Sequence, residues 1–208
     1  MTSVMASTRR ELTPRERMVR SAAQLIRTKG VTGTGVREVV GHAGAPRGSV
    51  QHYFPEGKDQ LVQEALLWAG GVAARRVGRA LDRAADRMPS TLLTEVVGDW
   101  RAEFRTDGFD AGCPLVAAAA DVVATSDELR ATIERAFDGW QGPFAAALVE
   151  CGVPARRAPG LALVVISALE GAIIMSRIRR DVAPLDAVVE ELGPMLDGTA
   201  ARHRQPRR

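Results

Sequence analysis

From residue 13 onward, apolar residues recur at intervals of three and four, the spacing of helices that each bury one face. Thr13-Pro14-Arg15-Glu16 opens the first helix: Thr13 can cap it, Pro14 suits the first helical position and Glu16 closes a capping box. Val19, Ala22, Ala23 and Ile26 form its apolar stripe, and Gly30 is placed to end it. A short second helix is predicted over about residues 36–43, with Val39, Val40 and Ala43 inward and Gly44 in the turn. Pro46 can start a third, running to about Phe54. Three short helices, the last two joined by a tight turn containing glycine, describe a helix-turn-helix unit.

Beyond Pro55-Glu56-Gly57 a longer helix is predicted, with Val62, Leu66, Ala69, Ala73, Val77 and Leu81 on one stripe. Leu93, Val97, Trp100 and Phe104 mark another; Leu129, Ile133, Phe137, Trp140, Phe144 and Leu148 mark a third. Pro143 falls inside that third stripe and should kink or break its helix. Residues 161–175 are apolar on nearly every face, which requires burial on more than one side. This stretch contains Glu170 and is shorter than the roughly 20 apolar residues of a membrane span, so no membrane partner is expected. A last helix is predicted over about residues 184–196. No segment alternates with period two for long enough to be a strand. The expected class is therefore all-α, with a helix-turn-helix domain over 1–57 (1–12 a flexible arm), a helical body over 58–198 and a basic tail over 199–208.

The 208 residues are 46% hydrophobic and 25% charged, an ordinary globular balance that excludes a disordered or collagen-like chain. Two cysteines, Cys113 and Cys151, make no disulfide framework and point to a reducing cytoplasm. Residues 1–30 lack the apolar core of a signal peptide. The basic residues are almost all arginine and asparagine is absent, the codon bias of a GC-rich, bacterial genome. The formal net charge of +3 hides an asymmetry. Residues 1–60 carry 10 Lys and Arg against 5 Asp and Glu, whereas residues 61–198 carry 14 against 20. A basic head on an acidic body suggests a polyanion partner for the head, although a solvated basic face accounts for the charge equally well.

The informative block is residues 36–61. The second helix of a helix-turn-helix enters the major groove, and here it offers Arg47, Ser49, Gln51, His52 and Tyr53. Arg47 can reach phosphate or the guanine edge, and Gln51 can pair with the adenine edge. Ser49, Tyr53 and Lys58 suit phosphate hydrogen bonds. A plain helical hairpin with a polar surface remains the alternative at this level. The motif Gly48-Ser49-Val50-Gln51-His52-Tyr53-Phe54, followed by Lys58-Asp59-Gln60-Leu61, resembles the N-terminal signature of TetR-family transcriptional repressors. The extra residue in Phe54-Pro55-Glu56-Gly57-Lys58, and the later Gly112-Cys113-Pro114-Leu115, resemble the LmrA/YxaF-like branch. The resemblance implies a homodimer on a near-palindromic double-stranded DNA operator, released when a small ligand enters the C-terminal domain. It carries DNA contacts onto Arg47, Ser49, His52, Tyr53 and Lys58, with Thr34 and Arg37 at the second helix. Where the family has Tyr this chain has Gln51, which shifts the expectation there toward base reading.

The basic arm with Arg9, Arg10, Arg15 and Arg17 could add phosphate contacts, or its first residues could be a disordered tail. Arg202, Arg204, Arg207 and Arg208 read as a solubilising tail. In the body, all three tryptophans and most phenylalanines fall at helical spacing, a pattern that fits core or the wall of an apolar cavity. Trp100, Phe104, Leu115, Trp140, Phe144, Glu170 and Met175 are the candidate ligand residues. The resemblance implies a small hydrophobic, often aromatic effector, and dimerisation through the last two helices. Cys113 before Pro114 is a weaker redox candidate than a packing residue. The three histidines form no metal or catalytic set, so no cofactor, metal or enzymatic activity is predicted. A non-specific architectural DNA binder is the competing reading, and a helical small-molecule enzyme a remoter one.

Overall fold

The computed structural model describes residues 11–46 and 48–204, without the side chains of 202–204. The expectations for Arg9, Arg10, Arg47, Arg207 and Arg208, and for the side chains of Arg202 and Arg204, lie outside the described residues. Among the described residues there are nine helices and no strand: α1 Pro14–Lys29, α2 Val36–His42, α3 Ser49–Tyr53, α4 Lys58–Arg83, α5 Pro89–Asp107, α6 Pro114–Val122, α7 Asp127–Glu150, α8 Ala158–Arg179 and α9 Ala183–Arg204.

Local chemistry accounts for the head. The Thr13 hydroxyl accepts from the Glu16 backbone N–H and the Glu16 carboxylate accepts from the Thr13 N–H, so the capping box forms as read. Helix α1 ends at Gly30 (φ 72°), whose N–H bonds the Ile26 carbonyl. Helix α2 closes in a Schellman turn: Gly44, at φ 57°, donates to Gly41 O, and Ala45 donates to Val40 O. The third helix is shorter than the expected 46–54. Gly48 stands at φ 87°, where a right-handed helix cannot continue, so α3 starts at Ser49.

In the body, α4 is the central element, packed on α1 and α5 and most extensively on α7. Gly70 permits that closeness. A Cβ there would lie 2.5 Å from the Ala136 carbonyl oxygen, so the two backbones touch where α4 has no side chain. Pro143 does not end α7, which runs unbroken from Asp127 to Glu150. Both Pro143 and Gly139, whose carbonyl loses its donor, are exposed, so water can supply the missing bond. Helix α9 similarly passes through the exposed Pro194 and beyond the expected end at 196. Leu196, Thr199 and Ala200 are buried, so the body extends past 198 and residues 199–204 are helix rather than tail.

One hydrophobic core joins head and body. Phe54, Phe104, Phe144, Met18 and Ile26 are among its fully buried side chains, each contributing about 1.5–3 kcal/mol relative to an exposed position. Over an 18-residue window, helix α8 is apolar enough to cross a membrane by length and composition. Half of that window is buried against other helices, and Glu170 sits among the buried residues. Its remaining face leaves Leu163, Val164, Ile174, Met175 and Ile178 exposed.

Candidate nucleic-acid interface and effector cavity

Helix α3 is held from behind. Phe54 is fully buried, Val50 and Tyr53 pack against the core, and the Arg15 guanidinium lies 5.2 Å from the Phe54 ring centroid. Arg17 ties α1 to the turn after α2, its Nε donating to Ala43 O at 3.0 Å. Arg15 pairs with Glu64 at 2.5 Å. Both arm arginines thus also brace the head from within. With its rear fixed, α3 projects Gln51 and His52 into solvent, and Arg37 projects from α2. The His52 ring meets Tyr53 edge-on with centroids 4.8 Å apart.

Two predicted contacts turn inward instead. Thr34 is 2% exposed and its hydroxyl donates to Gly30 O at 2.6 Å, so it braces the end of α1 and presents no donor outward. The half-buried Ser49 hydroxyl donates to Pro46 O at 2.7 Å, closing the turn before α3. Lys58 opens α4, half-buried. Its charge adds to the Thr32 hydrogen bonds that hold the nearby Asp121 carboxyl below the usual aspartate range.

A cavity of about 1120 Å³ opens between α1, α4 and α5. Its inner end is formed by Trp100, Cys113, Leu115, Trp140 and Glu170, all under 10% exposed. Four of the seven predicted ligand residues thus meet on one wall. Phe104 and Phe144 do not: they are core residues behind it, Phe104 stacked on Phe109 at 4.9 Å. Met175 is on the exposed face of α8, because five residues of helix turn it about 140° from Glu170.

Glu170 is unusual. Its carboxylate oxygens meet no donor but the weak Cys113 thiol; burial pushes the pKa up to about 7, and that thiol offsets a little of the rise. Burial, then the Glu170 charge, in turn push the Cys113 thiol well above its ordinary range, opposite to the shift a reactive sensor thiol requires. Nearby, Glu103 pairs with both Arg27 and Arg76, whose guanidiniums lie 5.7 and 5.3 Å from the Trp100 centroid. Burial alone would raise the Glu103 pKa; the two arginine charges outweigh it and hold the carboxyl low. Arg27, Arg76 and Glu103 escaped the sequence reading because charged residues on an amphipathic helix look like a solvated face. The usable signal was Arg20, Gln24 and Arg27, a polar stripe on α1 that faces the cavity.

Residues 19–65 match the bacterial regulatory protein tetR family, and residues 89–191 match the transcriptional regulator LmrA/YxaF-like C-terminal domain. An uncharacterized HTH-type transcriptional regulator of Mycobacterium tuberculosis is 40% identical over 188 residues, 88% of this chain and 94% of that one. The regulator YxaF of Bacillus subtilis is 28% identical over 178 residues, 86% of this chain and 92% of its own. The fold matches the crystal structure of a TetR transcriptional regulator from Legionella pneumophila with a TM-score of 0.75 at 16% identity, covering 91% of this chain and 98% of that one. Helix-turn-helix head, helical body and both matched segments agree: the chain belongs to the TetR family of DNA-binding transcriptional regulators, in its LmrA/YxaF-like branch.

Proposed function

We propose that this chain is a ligand-responsive repressor that works in the cytoplasm as a homodimer on a near-palindromic operator. The observation that carries this reading is the head. Helix α3 is locked by Phe54 and Arg15 while Gln51 and His52 remain free to meet base edges. In this reading Arg37, Tyr53 and Lys58 set the register on phosphates, and Arg47 is a further phosphate or guanine contact offered by the sequence. Two heads are needed to read two half-sites. The apolar face of α8 supplies the means, since a second copy would cover Leu163, Val164, Ile174, Met175 and Ile178 together with Met195 of α9. The cavity behind Trp100 and Trp140 is the seat for a small apolar or aromatic effector whose binding releases DNA.

The test is a titration against labelled DNA from upstream of the chain's own gene, at two salt concentrations, with random duplex as control. Binding at one palindromic site at least about a thousandfold tighter than to random duplex is expected. Equal, weak binding to both duplexes that falls steeply with salt would leave only charge attraction and favour an architectural binder. Sedimentation should give a dimer that Ile178→Glu converts to monomer.

A further inference from the structure

The chemistry of the cavity wall identifies its occupant more closely than "apolar", and this step rests on the reading of the cavity as the effector site. Six arginines line that wall, against five carboxylates apart from Glu170, and the pairings between them decide which charges remain available. Arg15, Arg27 and Arg76 are neutralised in place by Glu64 and Glu103. Asp99 is taken by Arg83, and Glu16 caps α1. Apart from the buried Glu170, Asp107 at the last residue of α5 is the wall carboxylate left outside these pairings. Arg20, Arg75 and Arg79 also line the cavity, are exposed, and have no carboxylate partner among the described residues. Arg75 and Arg79 are four residues apart on one face of α4, a like-charge spacing that destabilises the free helix slightly. Arg20 reaches the cavity from α1, 5.6 Å from the Trp68 ring centroid and about two helical turns along α4 from Arg75.

At the opposite, buried end, the Glu170 oxygens have no donor near them but the weak Cys113 thiol. A buried polar group in that state is costly, and a donor arriving from a ligand would satisfy it. Trp100 and Trp140 line the same inner end beside Glu170, Trp100 with Arg27 and Arg76 over its ring. One molecule can answer all three features.

We infer that the effector is an amphipathic organic anion: a carboxylate, sulfonate or phosphate held by Arg20, Arg75 and Arg79, a flat apolar body against Trp100, and a hydroxyl or amine N–H directed at Glu170. Guanidinium groups suit such an acid because they give charge-assisted, often bidentate hydrogen bonds.

Two fluorescent probes separate the contribution of charge from that of apolar burial: anilinonaphthalene sulfonate, and phenylnaphthylamine, the same ring system without the acid. Wild-type protein should bind the sulfonate at least about tenfold more tightly than the uncharged probe, equivalent to about 1.4 kcal/mol. Arg75→Gln with Arg79→Gln, both on exposed side chains, should remove that preference and leave the uncharged probe within about twofold of wild type. Val72→Trp, which fills the cavity from α4, should weaken both probes. If Val72→Trp weakens both but the arginine pair changes neither, the anion is refuted and the effector site stands. If neither probe responds to Val72→Trp, or neither binds, the cavity is not the effector site and the inference falls with it.

Discussion

Replacing Glu170 by Gln should stabilise the protein at pH 8 far more than at pH 5. In the unfolded chain the carboxyl titrates near its ordinary 4.5; in the fold it titrates at about 7. Between those values the folded state holds more protons than the unfolded state, so wild-type stability falls as pH rises through the window. The displacement is about 2.5 units, and at 1.36 kcal/mol per unit the charged form costs the fold about 3 kcal/mol once pH exceeds 7. Roughly a quarter of that cost is already present at pH 5, because the unfolded carboxyl is mostly ionised there. Gln fills nearly the same volume and does not titrate. The stability difference between variant and wild type should therefore grow by about 2.5 kcal/mol from pH 5 to pH 8, roughly 5–10 °C in Tm for a chain of this size. Cys113 does not interfere, since its thiol stays protonated throughout the window. Thermal unfolding of both proteins at equal protomer concentration measures the difference. The same Tm offset at both pH values would refute the reasoning, and would mean that water or a partner solvates this carboxylate in the fold.

Glu103→Gln removes the shared partner of Arg27 and Arg76 and should cost about 2 kcal/mol by denaturant titration. Because the arginines hold this carboxyl low, its contribution is present above pH 4.5 and is lost on acidification, so the variant and wild type should converge at acid pH. Gly70→Ala, with its new Cβ 2.5 Å from the Ala136 carbonyl oxygen, should lose about 1–3 kcal/mol. Gly71→Ala next to it meets only the tip of Arg75 and should gain up to about 1 kcal/mol from helix propensity; equal Tm changes would show that α4 and α7 do not touch there. In DNA binding, Lys58→Ala should weaken all sequences alike and lower the salt slope by about one, whereas Gln51→Ala should alter sequence preference. A uniform loss in Gln51→Ala would remove the base-reading role.

What could be read from the sequence alone depended on how far the determining contacts lie along the chain. The capping box of α1 needs only Thr13 and Glu16, three residues apart, and the helix formed as read. The end of α9 depends on what covers it. Pro194 and Gly198 look like stop signals, yet Thr199 and Ala200 are buried and the helix continues. Hydroxyls raise the same problem on a smaller scale. Thr34 and Ser49 are the residue types that bind phosphate, and nothing in their spacing says that Gly30 and Pro46 already accept from them. In the body, the aromatic spacing fitted either core or a cavity wall, and sorting Trp100 and Trp140 from Phe104, Phe144 and Met175 requires knowing how the helices lean on one another.

The segment from Gly108 to Cys113 shows what those long-range contacts accomplish together. Arg27 of α1 grips it twice, its Nε donating to Gly112 O at 2.8 Å and its carbonyl accepting from Gly112 N at 3.1 Å. Arg177 of α8 holds the same segment from the other side through the carbonyls of Phe109 and Asp110, and a Cβ on Gly112 would lie 2.9 Å from its guanidinium. The next residue, Cys113, faces Glu170 at the cavity's inner end. A short stretch of backbone is thus fixed between a helix of the DNA-reading head and the helix that carries the exposed apolar face, with the cavity floor as its last residue. Packed and hydrogen-bonded groups in such a contiguous chain are one means by which energetic coupling is carried. A ligand that reaches Glu170 displaces nothing remote: it meets the residue beside the one that α1 holds.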